Sequence, residues 1–495
     1  MTVRYGRAMR PNVLFITLDQ FRADHLSCAA HPVVRTPHLD DLAANGVRFA
    51  NHHSQAAPCG PGRASLYTGM YQMNHRVVGN GTPLDRRFDN IALAARRAGF
   101  APALFGYTDQ AIDPRDADGP DDPRLRTYNG ILPGFDGELV IPDELTPWVD
   151  WLADLGYDTS ADPTQLLRSE PDRPEVHSVG AFLTDRALAW IGAQTGPWFA
   201  HLSYLRPHPP YAAPGHWSTA YDPDDLPLPI AASDDASART PFHDAALADP
   251  RSAAPTDPAA VARMRAQYAG MVGHVDHQLG RLWDALRASG SWDDTFVVIA
   301  ADHGEMLGDH GLKDKLGYWE QSFATPCIVR DPRSAGAHGT VIVHPTENVD
   351  VMPTLCEAMA VAVPAQCDGL PLTPFLHDEP PPFWRAASHW EYDWRDQLVG
   401  RVGDDWPWDR TLERQHLAVI RTATHAYVQF GNGSSICFDL VADPTWRTPT
   451  DDAAVVLGLA QQMLTWRSRH TDRTLADLVL RADGPVGRGP EPDTG

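Results

Sequence analysis

Two pairs of polar residues follow apolar runs of this 495-residue chain, at the points where those runs end. Asp19 and Gln20 come directly after one run, and Asp302 and His303 follow another. If both runs are strands of a parallel sheet, their carboxyl ends lie at one edge, where ligands gather. Two carboxylates and an imidazole suit a divalent cation, and the imidazole favours manganese or zinc. Taken alone, an aspartate after a strand is more often a helix cap than a metal ligand.

Cys59 stands in a segment of unusual composition, PCGPGRASLYTG, which spans residues 58–69. Together with Pro61 and Arg63 it forms the pattern C-x-P-x-R. The Cys, Pro and Arg frequencies of this chain predict roughly 0.04 chance occurrences of that pattern, so the match is informative. Without it, a lone cysteine would be interpreted as a small core hydrophobe.

The only two lysines of the chain, Lys313 and Lys315, lie two positions apart and shortly after Asp302. All the other basic residues are arginines. A compact ammonium beside a tetrahedral anion is not interchangeable with a planar guanidinium, which favours a functional role. Two surface lysines can also cluster by accident.

Strands and helices alternate in the part of the chain that must position these residues. Apolar runs predict strands over residues 12–18, 101–107, 198–204 and 296–300. Helices are predicted over residues 37–45, 88–98 and 258–289, the last with apolar residues every three or four positions and a cap at Thr256 or Asp257. This alternation predicts a mostly parallel sheet flanked by helices. The Asp- and Pro-rich segments 109–148 and 221–255 are expected to be ordered excursions near the site.

The pattern changes after Pro382. Short strands over residues 417–421, 426–430 and 436–440 predict a small antiparallel sheet, followed by a helix over 452–469 and an irregular acidic tail. We therefore expect two units, a catalytic α/β domain over residues 1–385 and a C-terminal subdomain over residues 386–495.

The formal net charge of −23 excludes most nucleic-acid binding, since excess acid on a surface repels phosphate. No apolar run approaches the ~18 residues that span a bilayer, and the N-terminal segment, residues 1–10, is short and polar. We therefore expect a cytoplasmic protein with no membrane partner. The six cysteines lack paired spacings, which suits a reducing compartment.

Residues 58–69 resemble the sulfatase signature of the alkaline-phosphatase superfamily. Within that family the chain is most similar to the branch of arylsulfatases and phosphonate monoester hydrolases, and the similarity extends over nearly the whole chain. It rests on the segments MNHRVVGN (73–80), GYTDQAIDPR (106–115), YLRPHPP (204–210), ADHGEMLGDHGLKDKLGY (301–318) and HTDRTL (470–475). The resemblance implies a sulfatase-like (alkaline-phosphatase-like) α/β fold with a smaller C-terminal α+β subdomain.

The resemblance also implies a role for each matching residue. The implied metal ligands are Asp19, Gln20, Cys59, Asp302 and His303. The implied catalytic residues are Cys59, Arg63 on the nucleophile, His208 as general acid and Lys315 on the substrate's non-bridging oxygens. The implied substrate contacts are Asn80, Tyr107 and Asp109.

Cys59 is expected to be oxidised to formylglycine by a formylglycine-generating enzyme. One hydroxyl of the hydrated aldehyde attacks the ester in line, and deprotonation of the other then expels the bound group and restores the aldehyde. The expected cofactor is one divalent metal ion. Gln20 replaces a second aspartate of other sulfatases, which favours Mn²⁺ over Ca²⁺, with Zn²⁺ a further alternative. Asp109 stands where a threonine is expected in phosphonate hydrolases, and a carboxylate there repels an anionic substrate unless it is protonated or turned toward a cation.

The implied function is hydrolysis of small anionic sulfate esters and of phosphonate or phosphate mono- and diesters. Two alternatives stay open: a metal-dependent phosphodiesterase that uses another nucleophile, and a catalytically decayed ester-binding protein. Residues 470–475 resemble a segment that contacts neighbouring subunits in this branch, so we expect a homo-oligomer, specifically a tetramer.

Overall fold

An eight-stranded sheet and a five-stranded sheet organise the chain, which a computed structural model describes over residues 10–233, 238–379, 381–394, 414–471, 478–482 and 484–487. The strands are β1 (Asn12–Leu18), β2 (Val47–His53), β3 (Ala56–Ala57), β4 (Pro102–Gly106), β5 (Asp136–Val140), β6 (Phe199–Tyr204), β7 (Thr295–Ala300), β8 (Ile328–Arg330), β9 (Thr340–Glu347), β10 (Ala387–Asp393), β11 (His416–Thr422), β12 (His425–Phe430), β13 (Ser435–Asp439), β14 (Leu478–Arg481) and β15 (Gly484–Gly487).

The α-helices pack on both faces of the larger sheet and on both faces of the smaller. They are α1 (Pro37–Ala44), α2 (Cys59–Thr68), α3 (Gln72–His75), α4 (Ile91–Arg97), α5 (Thr146–Asp154), α6 (Pro163–Arg168), α7 (Val179–Gly192), α8 (Pro241–Ala248), α9 (Pro258–Ser289), α10 (Glu320–Phe323), α11 (Val351–Ala358), α12 (Thr373–Leu376) and α13 (Ala453–His470). Within the described ranges, none of these helices is long and apolar enough to cross a bilayer.

The larger sheet has the order β5-β4-β6-β1-β7-β8-β2-β9, and within it only β8 runs antiparallel to its neighbours. Strand β1 lies between β6 and β7, so that Ile16 pairs with Leu202 on one side and Ile299 on the other. Because all three strands are parallel, their carboxyl ends meet at one edge. This architecture confirms the predicted sheet, and it brings the polar residues after β1 and β7 together.

Alternating side chains of β1 enter two separate cores, one on each face of the sheet. Ile16 and Leu18 pack on the face covered by α9, whereas Val13 and Phe15 pack on the face covered by α2, α4 and α11. A strand buried on both faces needs an apolar side chain at every position, which explains the continuous run NVLFITL.

Helix α9 has the bounds that its apolar periodicity predicts. The Asp257 carboxylate accepts a hydrogen bond from the Ala259 N–H at its start, and Gly290 ends it with a φ of 74°. The buried face includes Met271, Val275 and Leu279, and each such side chain contributes roughly 1.5–3 kcal/mol when it leaves water.

The smaller sheet has the order β13-β12-β11-β10-β3 and is antiparallel except at β3. Strand β3 pairs parallel with β10, with Ala56 opposite Glu391. The residues just before Cys59 are therefore a strand of the C-terminal sheet. That sheet combines residues from both sides of position 385, and the division of the chain at that position stays a prediction.

Most predicted elements are confirmed to within three residues at each end. The prediction of an irregular tail is wrong for β14 and β15, which pair as an antiparallel hairpin. Strands β2, β3, β5, β8, β9 and β10 were not predicted, because they are very short or mix polar and apolar residues without clean alternation. Segment 109–148 contains β5, and segment 221–255 contains α8. Of the predicted subunit-contact segment 470–475, residues 472–475 lie outside the described residues.

A buried ion cluster links the two sheets beside the site. Glu347, at the end of β9, accepts hydrogen bonds from the Tyr71 hydroxyl (2.6 Å) and the His389 N–H of β10 (2.8 Å). Arg385 lies 3.3 Å from Glu347 and donates to Asp350 at 2.7 Å. Burial by itself would raise the pKa of Glu347, but the charge of Arg385 and the hydrogen bonds from His389 and Tyr71 together lower that pKa to about 2.

We expect Arg385→Met to lower the free energy of unfolding by about 3–5 kcal/mol, because methionine fills similar space and leaves two buried carboxylates without their cation. Urea titration at neutral pH measures this loss. In the wild type, the depressed pKa of Glu347 means that its contribution is complete above the ordinary pKa of 4.5 and is lost as the pH falls toward 2. The control is Arg87→Met, which removes an exposed pair with Asp85 and should leave the free energy of unfolding nearly unchanged. Equal losses in the two variants would contradict the prediction.

Candidate metal centre and active site

Cys59 is the first residue of α2 and points at the carboxyl edge of the larger sheet. Its Sγ lies 3.3 Å from His303 Nε2 and 4.0 Å from Asp19 Oδ1. Helix α2 approaches this edge closely because residue 62 is glycine. A Cβ at Gly62 would lie 2.5 Å from the carbonyl oxygen of Asp302 and 2.9 Å from that of Ala56. Any larger residue would push the helix off the site.

Asp302 and His303 are oriented by backbone groups. The Asp302 carboxylate accepts hydrogen bonds from the N–H groups of His303 (2.9 Å) and Gln20 (3.1 Å). The Nδ1 atom of His303 lies 3.0 Å from the carbonyl oxygen of Gly304, so it carries the hydrogen and donates it there. This tautomer leaves the Nε2 lone pair directed toward Cys59, as in a ligand imidazole.

Asp19, Cys59, Asp302 and His303 each place one ligand atom within 4.8 Å of all the others, and all four are buried. Two carboxylates, an imidazole and a fourth side chain at that spacing fit a divalent metal ion. The structure thus brings together four of the five predicted ligands.

Gln20, the fifth, makes different contacts. Its Oε1 accepts a hydrogen bond from Lys315 Nζ at 2.8 Å, while its amide nitrogen donates to Glu305 and, at 3.2 Å, to Asp314. Its backbone N–H is the group that reaches Asp302. The role of the Gln20 side chain as a ligand stays a prediction.

The fully buried guanidinium of Arg63 spans the two metal-site carboxylates. Its Nε donates to Asp302 Oδ2 and one terminal nitrogen donates to Asp19 Oδ2, both at 3.0 Å. The other terminal nitrogen donates to Ser203 Oγ at 2.7 Å and to the carbonyl of Tyr107 at 3.1 Å. The expected role of Arg63 in holding the nucleophile stays a prediction, and its hydrogen-bonded charged partners are the carboxylates of Asp19 and Asp302.

Positive charge around Asp19 keeps it ionised in the interior. Burial by itself would raise the pKa of Asp19, but His208, which is protonated at the low pH where Asp19 titrates, together with Arg63 and Lys315 lowers it well below its usual range. The Tyr107 hydroxyl also donates to Asp19, at 2.6 Å. An ionised, hydrogen-bonded carboxylate is the state that binds a cation.

Lys315 and His208 form a hydrogen-bonded pair opposite the carboxylates. Lys315 Nζ lies 2.8 Å from His208 Nε2, and His208 Nδ1 lies 2.7 Å from the carbonyl oxygen of Pro209, to which it donates. Burial and the charge of Lys315 lower the pKa of His208 to about 4. Burial by itself would lower the pKa of Lys315, but the nearby Asp314, Cys59 and Asp19 raise it well above the ordinary value. Lys315 is therefore the charged member of the pair, and its Nζ donates the hydrogen bond that His208 Nε2 accepts.

A cavity of about 500 Å³ opens above Cys59. The predicted site residues that line it are Asp19, Cys59, Asn80, Tyr107, Asp109, His208 and Lys315. The Oδ1 atom of Asn80 accepts a hydrogen bond from the Gly60 N–H at 2.9 Å, so its amide nitrogen is the group available to a ligand. Gln20, Arg63, Asp302 and His303 do not line the cavity and lie behind it.

Asp109 is both turned toward a cation and partly protonated, the two conditions under which a carboxylate is tolerated beside an anion. Its Oδ2 lies 3.6 Å from Arg63 Nε, and its backbone has a φ of 50°, in the left-handed region. Burial raises the pKa of Asp109 to about 7, although the charge of Arg63 opposes that rise. The side chain is turned toward a cation and carries a proton for part of the neutral pH range.

Sequence reasoning missed several residues around Arg63 and Gln20. Tyr67 lies one helical turn after Arg63, and its hydroxyl accepts from Arg63 at 3.2 Å, so i,i+4 spacing was a usable signal. Ser203 is a polar residue near the end of a buried strand, which is a second such signal. Glu305 and Asp314 approach Gln20 through a loop, and no local pattern indicates that contact.

The chain is similar to known proteins over most of its length. A family model described as Sulfatase matches residues 11–361. The chain is 37% identical over 520 aligned positions to the multifunctional alkaline phosphatase superfamily protein PehA of Trinickia caryophylli, which covers 97% of this chain and 99% of that protein. It is 28% identical to an arylsulfatase of Clostridium perfringens, over 78% of this chain and 82% of the other. The crystal structure of a phosphonate monoester hydrolase of Agrobacterium radiobacter aligns with a TM-score of 0.87 at 39% identity, over 97% of this chain and 100% of that one.

We expect Gly62→Ala to weaken binding of a divalent cation by about 10- to 100-fold, because the new methyl group meets the immobile backbone of Asp302 and displaces α2. Calorimetric titration of the metal-free protein with Mn²⁺ measures the change. Gly458→Ala is the matched control, since a Cβ at that helical glycine of α13 meets nothing within 4 Å. Wild-type metal affinity in Gly62→Ala would show that the close approach is not needed.

Proposed function

This chain belongs to the sulfatase family, and from that membership we propose that it hydrolyses small sulfate esters and phosphonate or phosphate mono- and diesters at the cavity above Cys59. One observation carries the proposal. The Sγ atom of the C-x-P-x-R cysteine lies within 4.8 Å of a ligand atom of Asp19, of Asp302 and of His303. The cavity above it is also lined by Lys315. A nucleophile position that shares its surroundings with metal-ligand side chains and a cation suits ester hydrolysis at a tetrahedral anion.

Asp19, Asp302, His303 and residue 59 are the residues that would hold the metal, with Gln20 a fifth ligand if its side chain turns. In the proposed enzyme, Cys59 is converted to formylglycine by a formylglycine-generating enzyme. The hydrated aldehyde would supply the nucleophile, and a bound metal ion would supply a Lewis acid. Two carboxylates with one imidazole favour Mn²⁺, and Ca²⁺ and Zn²⁺ are the alternatives.

The remaining residues position the substrate and move the proton. Lys315 binds the non-bridging oxygens, because its compact ammonium faces the cavity as a point charge. His208 lies on the leaving-group side beside Lys315, and in its protonated state its Nε2–H donates to the departing oxygen as the general acid. Asn80 and Tyr107 contact the substrate from the opposite wall.

Three further features belong to the proposal. The substrate is a small anionic ester and not a nucleic acid, in keeping with the net charge of −23. The enzyme works in the cytoplasm, where its six free cysteines suit a reducing medium. It assembles as a homotetramer, on the resemblance of residues 470–475 to a subunit-contact segment.

We expect Cys59→Ala to lower kcat for an aryl sulfate and for an aryl phosphonate ester by about a thousandfold or more, since no other residue replaces the nucleophile. Steady-state assays on protein produced together with the maturing enzyme test this, and mass spectrometry of the peptide containing residue 59 shows whether the aldehyde forms. Cys28→Ala is the control, because Cys28 does not line the active-site cavity. Near-normal activity of Cys59→Ala, or an unmodified thiol in active wild-type protein, would favour a phosphodiesterase with another nucleophile.

We expect KM for a monoanionic aryl sulfate to rise as the pH increases through about 7, because Asp109 then loses its proton and repels the substrate. Asp109→Asn removes that charge at every pH. Its KM should therefore lack the rise and should be about fivefold lower than that of the wild type near pH 8. Measuring KM for both proteins between about pH 5.5 and about pH 8.5 tests this. Parallel KM profiles for the two proteins would assign the ionisation to another group.

A further inference from the structure

A second cavity, of about 490 Å³, adjoins the active-site cavity and is lined by four cationic side chains. These are Arg168, Arg251, Arg263 and Lys313, and within the described lining Asp314 is the one carboxylate. The protein as a whole carries a formal charge of −23, so this wall is opposite in sign to the average surface. A concave cluster of one sign focuses the local potential and attracts the opposite charge.

Arg168, Pro209 and Pro210 line both cavities, so the two form adjoining spaces on either side of a proline ridge. The ridge follows directly after His208, to which the proposed function assigns the leaving-group side of the active site. Lys315 lines one cavity and Lys313, two residues away, lines the other. A leaving group that passes His208 therefore extends toward the second cavity.

Two of the four cations already have carboxylate partners. Arg251 pairs with Asp249 at 2.9 Å, and Arg263 lies 3.5 Å from Asp257. Asp314 is engaged elsewhere, since its Oδ1 accepts from the Lys315 N–H at 3.0 Å and from Gln20 at 3.2 Å.

Arg168 and Lys313 differ from the other two cations. Neither has a carboxylate within 4.0 Å among the described residues. Arg168 is the exposed last residue of α6, and Lys313 is partly buried, with its N–H bonded to the Ser252 carbonyl at 2.8 Å. These two side chains are thus available to an anion that enters the cavity. Arg168 can reach it from either side of the proline ridge.

We propose that this second cavity binds an additional oxyanion carried by the leaving group, so that the preferred substrates are esters whose leaving group bears a carboxylate, phosphate or sulfate of its own. The inference rests on the proposed function, since it names the substrate class of the same site. Tyr211 and Met264 supply apolar surface for the organic body between the two anionic groups. The inference also gives Lys313 a role that the hydrolytic site leaves unassigned.

Binding to the Cys59→Ala variant tests the cavity without turnover. The probes are sulfate esters of 4-hydroxyphenylalkanoic acids with side chains of increasing length, each paired with its neutral amide. For at least one length, we expect the carboxylate to bind about three- to tenfold more tightly than the amide in low-salt calorimetry, as two partly exposed cations allow. That preference should shrink as salt is added.

Lys313→Met and Arg168→Gln, each placed in the Cys59→Ala background, should reduce the preference, and together they should abolish it. Arg186→Gln is the matched control, because Arg186 is an exposed arginine of α7 that lines neither cavity. Equal binding of carboxylates and amides at every length would overturn the inference. So would a preference that survives in the variant lacking both cations.

Turnover by the wild-type enzyme separates this inference from the proposed function. Hydrolysis of the neutral amides reports the hydrolase alone, and the ratio of kcat/KM between each acid and its amide reports the cavity. Hydrolysis without any charge preference in binding would overturn the inference and leave the hydrolase standing. A charge preference in binding without hydrolysis of any ester would overturn the hydrolase and support the anion-binding cavity.

Discussion

The buried guanidinium of Arg63 is the group on which the site depends. It holds Asp19, which follows β1, and Asp302, which follows β7, with hydrogen bonds of 3.0 Å to each. Two carboxylates brought together in the interior need a compensating cation, and the fixed fork of an arginine reaches both at once. Because Arg63 lies one turn after Cys59 on α2, the same bonds also set the position of Cys59 against the carboxylates.

Both sheets contribute to the placement of residue 59. Strand β3 adds the residues before Cys59 to the C-terminal sheet, while Gly62 lets α2 lie directly on the backbone of Asp302. A reacting group needs a rigid support, because small displacements cost much of the catalytic rate. The C-terminal sheet is in this sense part of the active site's framework, even though its own side chains do not line the cavity above Cys59.

Charge is distributed unevenly around the cavity of an otherwise acidic protein. Lys315 supplies a permanent positive charge, the burial of His208 keeps its imidazole neutral, and Asp109 titrates near neutrality beside Arg63. These groups favour an anion at the centre of the site. The cationic wall beyond the proline ridge extends the same preference outward and makes a second anionic group on the substrate favourable.

The sequence by itself determined the elements whose pattern is local. Strand β1 and helix α9 follow from a continuous apolar run and from a repeat of three and four residues, and the C-x-P-x-R pattern indicated the family and the position of the proposed nucleophile. Only the tertiary structure decided that β3 joins β10, that Arg63 binds Asp19 and Asp302, and that Lys315 contacts both Gln20 and His208. It also decided the ionisation of Asp109, since burial and the distance to Arg63 set that pKa. These features join residues far apart in the chain, and a contact of that kind leaves no periodicity or spacing in either of its segments.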